Sequence, residues 1–200
     1  MGRWDKRTFK LPEQHGWQTK EGYNVFVADR GAVRLDYPNG WIVKPTEAGS
    51  ICFHDREPPD DRCVIEMSYL RLRPIDWSGL PLADMLKAAC VEQGDPVSGE
   101  EIVKVVRPDL ELVWAEYGKT DPLEHRPASH RICMARTSNA ILPHPSRKGT
   151  QVATRPVIQA LLTGAFWPED RGWFEPVWDE VLRSLQLGTT IASLAGPMRH

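Results

Sequence analysis

Cys52 and His54 stand two residues apart in the run SICFHD, and Cys63 opens the next apolar run. On a β-strand, residues i and i+2 project to one face, so these three soft ligands could converge on a metal ion. A closed zinc site takes four ligands and no fourth is evident, so the pattern reads as buried thiols beside a hydrogen-bonded histidine. His130 and Cys133 lie an odd number of residues apart, which points them to opposite faces of a strand and excludes a chelate. No metal ligand is assigned.

Glu66 and Glu116 each interrupt an otherwise apolar strand pattern. Two carboxylates sharing one site push their pKa values apart, which is what acid/base chemistry needs. The alternative functional reading is therefore a small hydrolytic enzyme using Glu66, Glu116 and a histidine in a pocket on the sheet. Without such a meeting, each glutamate pairs with an arginine such as Arg131 or faces water. The sequence contains no GxGxxG, GxxxxGK, GxSxG, HExxH, EF-hand or CxxC pattern, so nucleotide, hydrolase and structural-zinc readings lose their usual basis. No catalytic residue and no cofactor is assigned.

Eight tryptophans in 200 residues raise the question of an aromatic binding platform. The spacing of Trp114, Trp167, Trp173 and Trp178 fits the seam between a helix and a sheet. Trp4, Trp17, Trp41 and Trp77 are less constrained. Trp41 follows the turn Pro38-Asn39-Gly40, where an aromatic serves packing more often than binding, and it stays a candidate for partner contact. The segment 138–155 is long for a connection and carries His144, Arg147, Lys148 and Arg155, with Pro143 and Pro145 stiffening one side. These four basic residues form a candidate docking loop for an acidic partner.

Composition limits the partners. Twenty-five basic against 27 acidic residues and a net charge of −2 give no field that would attract nucleic acid or an anionic membrane. No stretch approaches eighteen uninterrupted apolar residues, and the amino-terminal residues lack an apolar leader core. Four cysteines without clustered spacing fit reduced thiols, so the expected location is the cytoplasm. The expected partner is a protein, and the expected state a monomer or homodimer.

The elements that must hold these residues are mostly strands. Alternating apolar positions mark strands through 24–44, with Asn39-Gly40 supplying the positive φ of a tight hairpin turn. Further strands are expected at 50–55, 63–72, 101–106, 110–119 and 129–137. Residues 156–166 are apolar at nearly every position and predict a strand covered on both faces. Leu82, Met85, Leu86 and Ala89 predict one amphipathic helix, with Pro81 at its first turn and Gly94 as its stop. Phe174, Val177, Trp178, Val181 and Leu185 predict a second, with Pro176 in its first turn.

Tyr37-Pro38-x-Gly40-Trp41 after a strand, the mid-chain helix, the meander of long strands and a last helix running into Ser184-Leu185-x-Leu187 together resemble the PsbP-like superfamily. That superfamily includes the extrinsic PsbP subunit of photosystem II, a Ran-binding import factor and type VI secretion adaptor chaperones. The resemblance spans 23–188 and implies an α/β/α sandwich, an antiparallel sheet flanked by helices, with partner binding rather than catalysis as its use. The expected organisation is a polar arm at 1–22, one domain at 23–188 and a tail at 189–200. The expected function is a non-enzymatic adaptor or accessory module.

Overall fold

The computed structural model describes residues 18–92, 101–138, 141–143, 151–153 and 157–189. Among them, twelve strands form antiparallel sheets of seven, three and two strands, and two α-helices pack on the opposite faces of the largest. β1 (Tyr23–Ala28) and β2 (Val33–Pro38) form a hairpin around a 3-10 turn at Asp29–Gly31, and β12 (Gln186–Leu187) pairs with the other side of β2. β3 (Ile42–Pro45), β4 (Ile51–His54), β5 (Cys63–Leu72), β6 (Val103–Val106), β7 (Leu110–Thr120), β8 (Pro127–Thr137) and β11 (Val157–Phe166) make the large sheet. Its order is β3-β4-β5-β11-β8-β7-β6. β9 (Ile141–Pro143) and β10 (Gln151–Ala153) form a separate hairpin. The sheet flanked by helices, implied by the PsbP-like resemblance, is the architecture observed.

The Asn39-Gly40 turn differs from expectation in its use. Gly40 has φ 85° and the Trp41 N–H donates to the Pro38 carbonyl at 3.2 Å, so a tight turn does form. The strands it joins enter different sheets, β2 the small one and β3 the edge of the large one. The turn is therefore a crossing between layers rather than a hairpin.

The two helices cover opposite faces. α1 (Leu82–Glu92) lays Leu82, Leu86 and Cys90 on Val113, Ala115, Ile132 and Met134 of β7 and β8. α2 (Arg171–Ser184) buries Phe174, Val177, Trp178 and Val181, and Leu185 follows them into the core against the other face. At roughly 1.5–3 kcal/mol each before entropy, those five side chains hold a helix that would be marginal alone. Pro176 lies inside α2 rather than in its first turn, because the helix starts at Arg171 directly from a 3-10 turn at Pro168–Asp170. The bond that its missing N–H would make belongs to exposed Gly172, whose carbonyl can turn to water.

β11 sits at the centre of the large sheet, as its apolar sequence predicts, but only one of its faces is sealed. Ile158, Ala160, Leu162 and Phe166 are buried under α2, whereas Gln159, Leu161, Thr163 and Ala165 are half-buried. α1 packs chiefly on β7 and β8, with Leu161 of β11 at the edge of that cluster, and the rest of the β11 and β5 portion of that face stays partly open.

A buried polar cluster ties the small sheet to the end of α2. Arg34 and Asp36, both on β2, form an ion pair at 2.6 Å. The Arg34 guanidinium also donates to the Ser184 carbonyl at 2.9 Å, while the Asp36 N–H donates to Ser184 Oγ at 2.8 Å. Burial raises the Asp36 carboxyl and Arg34 pulls it back, so the pair holds position at an electrostatic cost.

Candidate functional site

The two glutamates of the enzyme reading do not meet. Cross-strand partners share a face, and the register runs Glu66–Thr163–Ile132–Ala115 across β5, β11, β8 and β7. Glu116 follows Ala115, so it projects through the sheet to the other side. There it accepts from Arg131 Nε at 2.8 Å and Arg171 Nη1 at 3.0 Å. Burial alone would raise the Glu116 carboxyl, but the two arginines outweigh it and hold it below the usual range. Glu66 accepts from Ser50 Oγ on the face that carries His54 and His130. A shared acid/base pair is thereby excluded, and Arg131 is the partner of Glu116 that its sequence context suggests.

Arg131 is 2% exposed and also pairs with Glu175 at 2.7 Å, its guanidinium 5.1 Å from the Trp114 ring. Glu116, Arg131, Glu175 and Arg171 thus lock the start of α2 to the sheet. The three soft ligands also separate. Cys52 and His54 share one face, but Cys63 belongs to the opposite core, and among the described residues no group of three ligating side chains could hold a metal ion. Burial, then the carboxylates of Glu66 and Asp61, pushes the Cys52 thiol up to about 11.

Of the docking candidates, His144, Arg147, Lys148 and Arg155 lie outside the described residues. Trp41 is 8% exposed and stacks on Trp173 with ring centroids 5.7 Å apart. Packing is its observed use, and the exposed member of the pair is Trp173, at 43%. Trp114 and Trp178 fill the seam between α2 and the sheet, as their spacing predicts. Trp173 and Trp167 do not, since Trp167 stands at the end of the sheet with the Arg126 guanidinium 3.5 Å from its ring.

The feature that the sequence does not single out is the edge strand β6. All four of its residues are exposed, Val103 at 43%, Val105 at 38% and Val106 at 68%. Arg107 N–H donates to the Leu110 carbonyl at 2.8 Å, which marks 107 and 110 as a hydrogen-bonded pair. Alternation along the antiparallel ladder then turns Val105 and Val103 inward to β7 and leaves the N–H and C=O groups of Lys104 and Val106 facing outward. Among the described residues no strand pairs with that outer side. Arg107 anchors the strand from within by donating to the Arg183 carbonyl at 2.7 Å and to the Leu185 carbonyl at the end of α2. The opposite edge, β3, is blunted. It carries Lys44, paired with Glu57, and ends on Pro45.

A family profile described as Alr1449 matches residues 24–142. A relative described as the uncharacterized protein alr1449 of Nostoc sp. (strain PCC 7120) is 37% identical over 191 residues, which is 94% of this chain and 90% of that one. Among solved structures, a crystal structure from Bacteroides thetaiotaomicron VPI-5482 matches with TM-score 0.55 and 11% identity over 84% of this chain. The chain spans 49% of that structure's length. LpqN, described as involved in cell envelope biogenesis of Mycobacterium tuberculosis, matches at TM-score 0.48 and 11% identity, over 84% of this chain and 91% of its own. The cyanobacterial PsbP (CyanoP) of Synechocystis sp. PCC 6803 matches at TM-score 0.44 and 10% identity, over 86% and 96%.

Proposed function

We propose, for a chain that belongs to the Alr1449 family, a non-enzymatic binding module that takes an extended segment of a partner protein onto the open edge of β6. The observation that carries this reading is the contrast between the two edges of one sheet. Native sheets guard their edges with lysine, proline, a bulge or cover, and β3 follows that rule with Lys44 and Pro45. β6 instead presents three exposed valines, one lysine and outward backbone groups.

Strand addition uses such an edge in two ways. Main-chain hydrogen bonds give affinity, and alternate side chains give specificity. Val103 and Val105 pair with Trp114 and Leu112, on the face that α2 covers, while Lys104 and Val106 lie on the α1 face. An incoming strand apolar at alternate positions would extend the α2-side core by one strand. A cytoplasmic setting belongs to the same proposal and is supported by four cysteines, none paired with another.

The test separates backbone from side chain. Lys104→Pro removes an outward donor without touching the β6–β7 ladder, whereas Lys104→Ala removes only the charge. Immobilised wild type and Lys104→Ala should capture the same protein from an extract of the source organism, and folded Lys104→Pro should not. Equal capture by all three overturns the proposal. A second copy of the chain on the same edge would appear as a doubled mass in solution that Lys104→Pro abolishes.

A further inference from the structure

At the far end of the sheet three connections converge, 55–62 between β4 and β5, 121–126 between β7 and β8, and 167–170 after β11. They surround a half-open cavity of about 130 Å³. Its apolar lining comes from Val64, Ala128, Ala165, Phe166 and the ring of Trp167, and its polar lining from Asp61, Asp121, Arg62 and His130.

The charges there are unevenly matched. Arg62 is committed to Asp170 at 3.2 Å, and Arg126, stacked on Trp167, to Glu169 at 2.9 Å. The two carboxylates of the cavity have neither arginine. Asp61 Oδ2 meets His54 Nδ1 at 2.9 Å, and Asp121 Oδ1 accepts the N–H groups of Leu123 at 2.9 Å and Glu124 at 2.8 Å. Among the described residues neither forms an ion pair with lysine or arginine.

We propose that this cavity holds a primary alkylammonium group, such as the end of a lysine side chain, its nitrogen between Asp61 and Asp121 and its alkyl stem against Val64, Ala165 and Trp167. The size fits, because an apolar cavity of about 150 Å³ takes a ligand of benzene size. Two carboxylates disfavour an anion, and the apolar floor and aromatic wall favour a cation that carries carbon over a bare metal ion. Beside a neutral alkyl group the carboxylates would keep only the His54 imidazole and the N–H groups of Leu123 and Glu124. This inference is independent of the β6 edge, which lies roughly 25 Å away along β7.

The probe is n-butylammonium chloride added to the ¹⁵N-labelled full chain at neutral pH and constant ionic strength. Saturable amide shifts at Val64, Asp121 and Ala165 and at the Trp167 indole are expected, with Asp61→Asn and Asp121→Asn each weakening binding by about fivefold or more. Sodium butyrate and n-butanol should produce no saturable shift there. Lys104→Pro should leave butylammonium binding unchanged, so failure here and failure of the β6 proposal are read separately. Equal response to butyrate or butanol, or full affinity in both folded aspartate variants, overturns the proposal.

Discussion

Gly164→Ala probes how closely α2 lies on the sheet. Gly164 stands in β11 beneath the aromatic stack of α2, and a Cβ there would meet Phe174 Cζ at 2.7 Å, Trp178 Cζ3 at 3.1 Å and Phe174 Cε1 at 3.3 Å. Phe174 cannot swing aside freely. Its ring lies 4.4 Å from Phe166 and 6.0 Å from Trp178, and both Phe174 and Trp178 are fully buried. Overpacking of this kind costs about 1–3 kcal/mol. Against it stands a gain of about 0.4–1 kcal/mol, because alanine restricts the unfolded chain more than glycine. The balance is a net loss near 1 kcal/mol, or a melting temperature lower by about 2–3 °C in a chain of this size. Gly118→Ala is the control, since a Cβ at that position meets nothing within 4 Å and the backbone there is ordinary. It should melt at or slightly above wild type. Adding Phe174→Leu to Gly164→Ala should cost less than the sum of the two single changes, because the smaller side chain makes room for the methyl. Thermal unfolding followed by circular dichroism reads wild type, the three single variants and the double variant. A Gly164→Ala variant as stable as Gly118→Ala would refute the packing of α2 described above.

Glu116→Gln should weaken the anchor of α2 by roughly 1.5–3 kcal/mol at pH 7, as for a hydrogen bond to a charged group. Because Glu116 lies below its unfolded value in the folded chain, its contribution is present above about pH 4.3 and lost as pH falls through the folded pKa. Melting curves of the two proteins should therefore converge on acidification, and a gap that widens below pH 4 would contradict the assignment. Cys52, its thiol near 11, should react with a thiol reagent at pH 8 about 20-fold more slowly than an unperturbed thiol. Its low thiolate fraction is only partly offset by its higher intrinsic nucleophilicity. Mass-resolved labelling of the native protein checks this, and labelling of Cys52 at the rate of glutathione would be the contrary result.

What could be read in the sequence is what has a local period. The α2 stripe recurs at 3.6 residues and is buried as read, and β5, β7, β8 and β11 follow from runs of apolar and β-branched residues. What escaped is set by pairing between distant segments. Pro38-Asn39-Gly40 declares a turn, but not that β2 will pair with residues 186–187 instead of β3. Glu66 and Glu116 look equivalent along their own strands, and only the register through β11 and β8 puts them on opposite faces. The sequence Val-Lys-Val-Val of β6 resembles that of an interior strand, because no residue in it states which neighbour is missing. The cavity joins residues near 61, 121 and 167, which no spacing rule connects. Arg34 and Asp36 carried a signal, since two opposite charges at i and i+2 share a strand face.

The central claim is that the outer side of β6 is open for a partner strand, and amide hydrogen exchange of the isolated chain measures that directly. Val103 and Val105, whose N–H groups turn to β7, should exchange slowly, and Lys104 and Val106, whose N–H groups face outward, should exchange fast. That alternation within four consecutive residues is the predicted result. Uniform slow exchange from 103 to 106 would mean that the edge is already covered and would contradict the account.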